Sequence, residues 1–288
     1  MEVNCAGCAG CCIDWRPLVD GDRHTQPGAP GEPLDDRYNL VPLSRDDVRS
    51  LVGAGYGAAL RPRLWRADPD QDSVDIDGYE VVAIRSRPLF MMGLRHVPKP
   101  VAPFGTEPHW LRSCVFLDPD TLQCRIHDEP EYPTTCATYP GDHLTLDAES
   151  ECERVEANWD ETRLVDGTPP ENGRPPPLDE FSLGSTVFLH PDPSRLAGRI
   201  ERLLADSLQY DDRFEFGAVA LAQSPGMPET QPETYRSERQ RLDEQESWIR
   251  ESIEEWMDAA VTTEPEPSMA RSIEDRRGAP STPGWDGE

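Results

Sequence analysis

Short apolar runs separated by long polar, proline-rich stretches set the organisation of this chain. The first helix signal starts at Ser44, an N-cap residue with Asp47 three positions on to complete a capping box. Val48, Leu51 and Val52 then form one apolar face, and Gly53, Gly55 and Gly57 end the helix. That G-x-G-x-G follows a helix, with no strand feeding it, so it reads as a helix exit and not as a nucleotide loop. Tyr79 to Arg85 and Pro88 to Arg95 carry β-branched and large apolar residues between turn signals, which predicts two short paired strands. Met91 and Met92 inside the second are read as core filler, not as soft ligands. Phe181 to Leu189 is apolar enough for a strand or a buried turn, and Gly217 to Ala222 reads as a short apolar insert. Ser194 to Leu208 has the spacing of an amphipathic helix capped by Ser194. Glu233 to Val261 reads as charged helix, with Leu242, Trp248, Ile249, Ile253 and Trp256 on one stripe. That stripe is expected to dock on the domain, with binding of a protein partner as the alternative. Ile13 to Tyr38, Leu60 to Asp77 and Val97 to Pro108 read as loops, and the Pro-, Glu- and Arg-rich segment Thr262 to Glu288 as disordered.

Composition narrows this picture. Only 36% of the 288 residues are apolar and 30 are proline, so a modest core with long irregular connections is expected. A formal charge of −27 argues against nucleic acid and anionic membrane as partners, because phosphate binding needs clustered Lys or Arg. Lys99 is the only lysine. Such an acidic, lysine-poor balance resembles the proteome of a halophilic archaeon, in which internal salt screens self-repulsion. The charge is therefore read as adaptation to solvent. The N-terminus lacks a basic start followed by an apolar run, and no stretch approaches ~18 apolar residues, so a cytoplasmic location without a membrane span is expected. A cytoplasmic address keeps thiols reduced and moves the eight cysteines from disulfides towards metal.

Four of those cysteines, Cys5, Cys8, Cys11 and Cys12, form a C-x2-C-x2-C-C run with only Ala and Gly between them. Thiolates are soft donors suited to zinc, copper(I) or iron. The two-residue spacers let successive sulfurs turn inward, and Gly7 and Gly10 permit positive φ. The pitch is that of a ferredoxin cluster loop without its Cys-Pro ending. Cys11 and Cys12, being vicinal, are expected to serve different sites or roles. The other four are Cys114, Cys124, Cys136 and Cys152. A hairpin of Val115 to Leu117, a turn at Asp118 to Asp120 and a return strand from Leu122 to Ile126 would make Cys114 and Cys124 neighbours. Cys136 is placed on a Pro-bounded helical turn and Cys152 on the loop after it. A site shared by both arrays closes a loop of roughly a hundred residues, a cost that grows only logarithmically and that a tight metal can offset. Disulfides or merely buried thiols are the competing reading. His109, His127 and His143 are possible additional ligands.

The cysteine pattern, with Leu40 to Asp47, Cys114-x-Phe116-Leu117, Cys124-x-Ile126 and Cys136-x-x-Tyr139-Pro140, resembles the YkgJ-type CxxCxxCC cysteine-cluster family over residues 1 to about 155. His127 and the Glu131-Tyr132-Pro133 lead depart from its usual pattern. The resemblance implies zinc or iron chelation by Cys5, Cys8, Cys11, Cys12, Cys114, Cys124, Cys136 and Cys152. A related branch, the flagellin lysine N-methylases, carries an iron–sulfur cluster. The second array has no paired C-x2-C knuckles of the zinc-ribbon kind, and the ferredoxin-like C-x2-C-x2-C pitch together with the resemblance favours an iron–sulfur cluster over zinc. The expected architecture is α+β: a small irregular cysteine-cluster domain over 1–165, a helical extension over 178–261 and a disordered tail over 262–288 whose removal would leave metal content untouched. Three functions remain open: a metal-binding module, a cluster-assisted protein-modifying enzyme, and a redox or metal-responsive regulator. No adenosylmethionine loop or acid–base pair supports the enzyme.

Overall fold

The computed structural model describes residues 2–19, 29–165 and 183–283. Residues 20–28 of the expected loop, 178–182 at the start of the expected extension and 284–288 of the expected tail lie outside them. Strands and helices both contribute, giving an α+β chain. They gather into two compact units that cut across the expected domain limits: Asp22–Leu94 with Pro177–Glu246, and Met1–Gly21 with Arg95–Pro176 and Ser247–Glu288. The crossing at Pro176 falls in the run Pro175 to Pro177, whereas the one after Glu246 carries no proline or glycine punctuation. Among the described residues no helix is long and apolar enough to cross a membrane.

In the unit built on Asp22–Leu94, the strand Arg87–Leu94 is the axis of an antiparallel sheet. Leu60–Leu64 pairs with its second half, Val187–Leu189 and Pro42–Leu43 pair along it, and Tyr79–Ile84 pairs with its start and with Ser73–Ile76. The period-2 pattern is visible in its burial: Pro88, Phe90 and Met92 are buried while Leu89 and Met91 are half-buried. The expected loop over Leu60 to Asp77 thus contains two strands, hidden from periodicity by Arg61 and Arg63, which pair with Asp35 inside the fold. At Gly93 a Cβ would lie 2.6 Å from Leu40 Cγ and 2.8 Å from the Val41 carbonyl, so the strand needs glycine there. Helix Arg45–Gly53 starts with the expected capping box: Ser44 Oγ accepts the Asp47 N–H and Asp47 Oδ2 accepts the Ser44 N–H.

Gly217 to Ala222 is no insert but the end of helix Tyr210–Ala222, whose residues from Asp212 onwards are all buried. Its Phe216 ring packs 4.9 Å from Phe90. The expected Ser194–Leu208 helix is broken: a 3-10 turn spans Pro193–Leu196, Gly198 takes φ 69°, and helix Arg199–Leu204 follows. That break lets Arg199 and Arg202 both reach Asp212, which also accepts the Gln209 N–H. Glu233 to Val261 is likewise two helices, Pro232–Glu244 and Trp248–Thr262, and they belong to different units.

In the other unit, His96–Val101 and His109–Cys114 form an antiparallel ladder where a loop was expected. Pro98 and Pro100 are two apart, so their missing N–H groups share one edge and the residues between keep the ladder bonded. Between them Lys99 is fully buried. Its ammonium donates to the carbonyls of Val115 (2.8 Å) and Leu117 (2.6 Å), forms an ion pair with Glu274 Oε1 at 2.8 Å, and lies 4.3 Å from the centre of the Trp256 ring. Of the expected stripe, Trp248, Ile249, Ile253 and Trp256 are buried within this unit, whereas Leu242 is buried on helix Pro232–Glu244 of the other one, so the stripe is not continuous.

The expected disordered tail holds a helix, Pro267–Arg276. Composition counts Glu274 as a solvated charge, yet its side chain is fully buried between Lys99 and Arg125. Arg125 also donates to the Pro280 carbonyl, and Thr282 Oγ1 donates to Asp118. Burial opposes the charged forms of both Lys99 and Glu274, and each is the other's main compensating charge. Taking one partner away leaves the other stranded.

Glu274→Ala is expected to lower stability by about 3–5 kcal/mol, read from urea melts. For Asp212, burial pushes the carboxyl up, but hydrogen bonds from Arg202 and the Gln209 N–H, with the charges of Arg199 and Arg202, hold it below the ordinary carboxylate range. Its contribution is complete above an unfolded-state pKa of about 3.9 and is lost as pH falls through the lower folded-state value. The stability gap between wild type and Asp212→Asn should therefore narrow only below about pH 4; a constant gap would remove the electrostatic explanation.

Candidate metal centre

All eight cysteines fall in the unit containing Met1–Gly21, and none is in a disulfide. The N-terminal run wraps tightly. The Cys8 N–H donates to the Cys5 carbonyl (3.1 Å), the Cys12 N–H to the Ala9 carbonyl (2.8 Å), and the Gly10 N–H to Cys8 Sγ (3.3 Å). Gly7 has the expected positive φ, 64°, but the second left-handed residue is Ala9, at 52°, and not Gly10. Gly10 is needed for space: a Cβ there would lie 2.9 Å from Val155 Cγ2 and 3.4 Å from Cys8 Sγ.

Val155 belongs to helix Glu151–Trp159, so Cys152 sits in a helical first turn and not in the expected loop. Ser150 caps this helix, with Glu153 completing a capping box. Several ties hold the cysteine run against it. The Trp15 indole N–H donates to Glu151 Oε2 (3.0 Å), and the Trp159 ring stands 5.3 Å from Trp15 and 4.1 Å from Phe104. The Asn4 N–H reaches the Arg163 carbonyl (2.7 Å), and the Arg163 guanidinium donates to the carbonyls of Asn4 and Ala6.

On its other side the run joins the ladder. Ile13 bridges antiparallel to Ser113, and the Asp14 N–H donates to the Arg112 carbonyl (2.8 Å). That register makes Cys12 the neighbour of Cys114, the last residue of strand His109–Cys114. The expected strand over Val115 to Leu117 is a turn instead, whose carbonyls Lys99 holds. A single bridge, Leu117 to Cys124, and the Asp118 N–H to the Gln123 carbonyl (2.8 Å) still fold Cys124 back towards Cys114. Cys136 lies in the short helix Thr134–Thr138, as expected, and its carbonyl accepts the Tyr132 hydroxyl (3.4 Å).

The thiols sense one another. Burial pushes Cys5 up to about 11, reinforced by Cys11 and Cys8 and opposed by Arg163. Burial likewise raises Cys114 to about 11 and Cys124 to about 12, with Cys11 adding to both. Cys152 is raised by burial, then by Cys11, Cys8 and Cys5. Cys11 and Cys12 are not divergent: their sulfurs stand 3.8 Å apart, which lowers the pKa of Cys11 and raises that of Cys12. The Tyr132 phenol is raised by burial, then by Cys136, Cys124, Cys12 and Cys11. Cys11 thus stands in reach of both arrays. Even so, among the described residues no three His, Cys, Asp or Glu side chains stand close enough to share an ion as oriented.

Two of the three candidate histidines contact other side chains. His127 Nδ1 is 3.0 Å from Asp128 Oδ2, with its ring 4.9 Å from Tyr132; His143 packs 5.0 Å from Tyr139, and His109 is exposed. Sequence reasoning missed His96, which faces Cys114 across the ladder and is buried. Only recognition of the strand through Pro98 and Pro100 would have revealed it.

A family described as a family of unknown function (DUF7531) matches residues 1–286. No curated protein and no solved structure matches the chain.

Gly10→Ala is expected to cost about 1–3 kcal/mol through overpacking against Val155. Adding Val155→Ala should return part of that loss, so a double-mutant cycle in urea melts would show coupling. Strictly additive effects would mean that the cysteine run does not press on the helix.

Proposed function

The chain belongs to that family over nearly its whole length, and from this starting point we propose that it is a metal–thiolate protein whose eight cysteines bind an iron–sulfur cluster or zinc. The observation that carries the reading is the pairing of Ile13 with Ser113, together with the packing of Gly10 on Val155. These contacts bring the N-terminal run, the strand that ends at Cys114 and the helix of Cys152 together. The donor chemistry suits the group. All eight are thiols, the Gly10 N–H already points at one sulfur, and Cys152 lies at the positive end of a helix. Uncharged, crowded thiols resist ionisation, whereas a bound cation reverses that logic and is held by the resulting thiolates. Side-chain rotation about backbones already in place would bring the sulfurs inward.

Iron–sulfur is preferred because the C-x2-C-x2-C pitch is that of a cluster loop. The bound group would supply a cross-link joining the N-terminal run, the loop from Cys114 to Cys124 and the helices of Cys136 and Cys152. A reducing, cytoplasmic setting fits this reading, since thiols there stay available to metal. With a formal charge of −27, neither nucleic acid nor membrane is read as a partner.

Anaerobic purification followed by counts of iron, zinc and sulfide per chain tests the proposal. A brown protein with broad visible absorption indicates iron–sulfur, a colourless zinc-loaded one indicates zinc, and a protein that takes up neither refutes the reading. Cys8→Ser, or full removal of metal by a chelator, is expected to lower stability by several kcal/mol (~3 or more), because binding and folding are linked.

A further inference from the structure

We propose that the eight cysteines divide into two centres that meet at the Cys11–Cys12 step, with Cys5, Cys8, Cys11 and Cys152 holding one soft metal group and Cys12, Cys114, Cys124 and Cys136 the other. This rests on the metal–thiolate reading and assigns its ligands. Two backbone contacts on either side of that step carry the division. On the first side, Gly10 lies against Val155, in van der Waals range of Cys8 Sγ. Cys152 is three residues before Val155 in the same helix, hence one turn away on the same face. The Trp15–Glu151 hydrogen bond ties the residue beside Cys152 to the end of the cysteine run. Cys5 is fixed to this group by the Cys8 N–H on its carbonyl and by Arg163, which grips the carbonyls of Asn4 and Ala6 around it.

On the second side, the Ile13–Ser113 register sets Cys12 beside Cys114. The Leu117–Cys124 bridge returns Cys124 to the same end of the ladder, and Lys99 pins the intervening turn by two carbonyls. Cys136 joins through Tyr132, whose hydroxyl bonds the Cys136 carbonyl. The Tyr132 ring packs 4.9 Å from His127, whose backbone N–H donates to the Cys124 carbonyl (3.3 Å). Each set supplies four sulfurs, the number that closes a structural zinc site or a cubane cluster. The 3.8 Å between the Cys11 and Cys12 sulfurs makes the two centres near neighbours.

The test loads the full-length chain with zinc and counts ions in wild type, Cys8→Ser and Cys124→Ser. Two centres predict about two ions per wild-type chain. Either single variant then keeps half, and the double variant keeps none. One ion in wild type, or complete loss in either single variant, overturns the division while leaving metal binding intact. No uptake by wild type overturns the metal–thiolate reading itself, and the division with it. Should a variant fail to fold, cobalt(II) titration of wild type gives an independent count. Thiolate-to-metal absorption that reaches its end point at about two equivalents supports the division, and an end point at one overturns it.

Discussion

One antiparallel bridge, between Ile13 and Ser113, sets what the N-terminal cysteines can do. Without it the run would still lean on helix Glu151–Trp159 but would face no strand. With it, the register of a two-stranded ladder extends into the run, and Cys12 is delivered to Cys114 as a matter of backbone geometry. On the metal–thiolate reading proposed above, closing the site would then fall to side-chain rotation, a far smaller entropic demand than gathering free chain ends. Packing of Gly10 on Val155 performs the same service for Cys152 on the opposite side.

The second array depends on a different kind of support. Its turn is held from beneath by charges that water does not reach: Lys99, Arg125, Asp118 and Glu274. Buried ions stabilise little in net terms, because desolvation offsets most of their attraction, but they penalise every arrangement that separates them. Here they fix the carbonyls of Val115 and Leu117, between Cys114 and Cys124, and bind the C-terminal helix to that loop. The unit holding the cysteines is therefore closed by its last segment, although the chain reads there as soluble tail.

What could be read in advance, and what could not, follows from these choices. The helix after Ser44 was legible because its cap is local chemistry, and the strands over Tyr79–Ile84 and Arg87–Leu94 because β-branched and large apolar residues lie there between turn signals. The two cysteine arrays, read in the sequence as able to share a site, do fall in one unit. The ladder through Pro98 and Pro100 was not legible, since proline ordinarily argues against strand and only the register shows that both point the same way. Helix Tyr210–Ala222 was half missed because Asp212 and Glu215 are buried with ion partners and Arg213 is buried donating to the Leu208 carbonyl, which erases the amphipathic pattern. The tail failed for the same reason at Glu274. In a chain this acidic, charge marks solvent poorly, because arginine carries buried carboxylates inward in planar, multiply bonded pairs.

The burial of Lys99 has a consequence for handling the molecule. Every other cationic side chain is a guanidinium or an imidazole, so the folded surface offers no side-chain amine. Acylating reagents, aldehyde fixatives and ester-activated dyes would find that nucleophile only when Trp256, Glu274 and the turn above it come apart. Covalent tagging at position 99 would thus act as a clock for opening of the very unit that gathers the sulfurs.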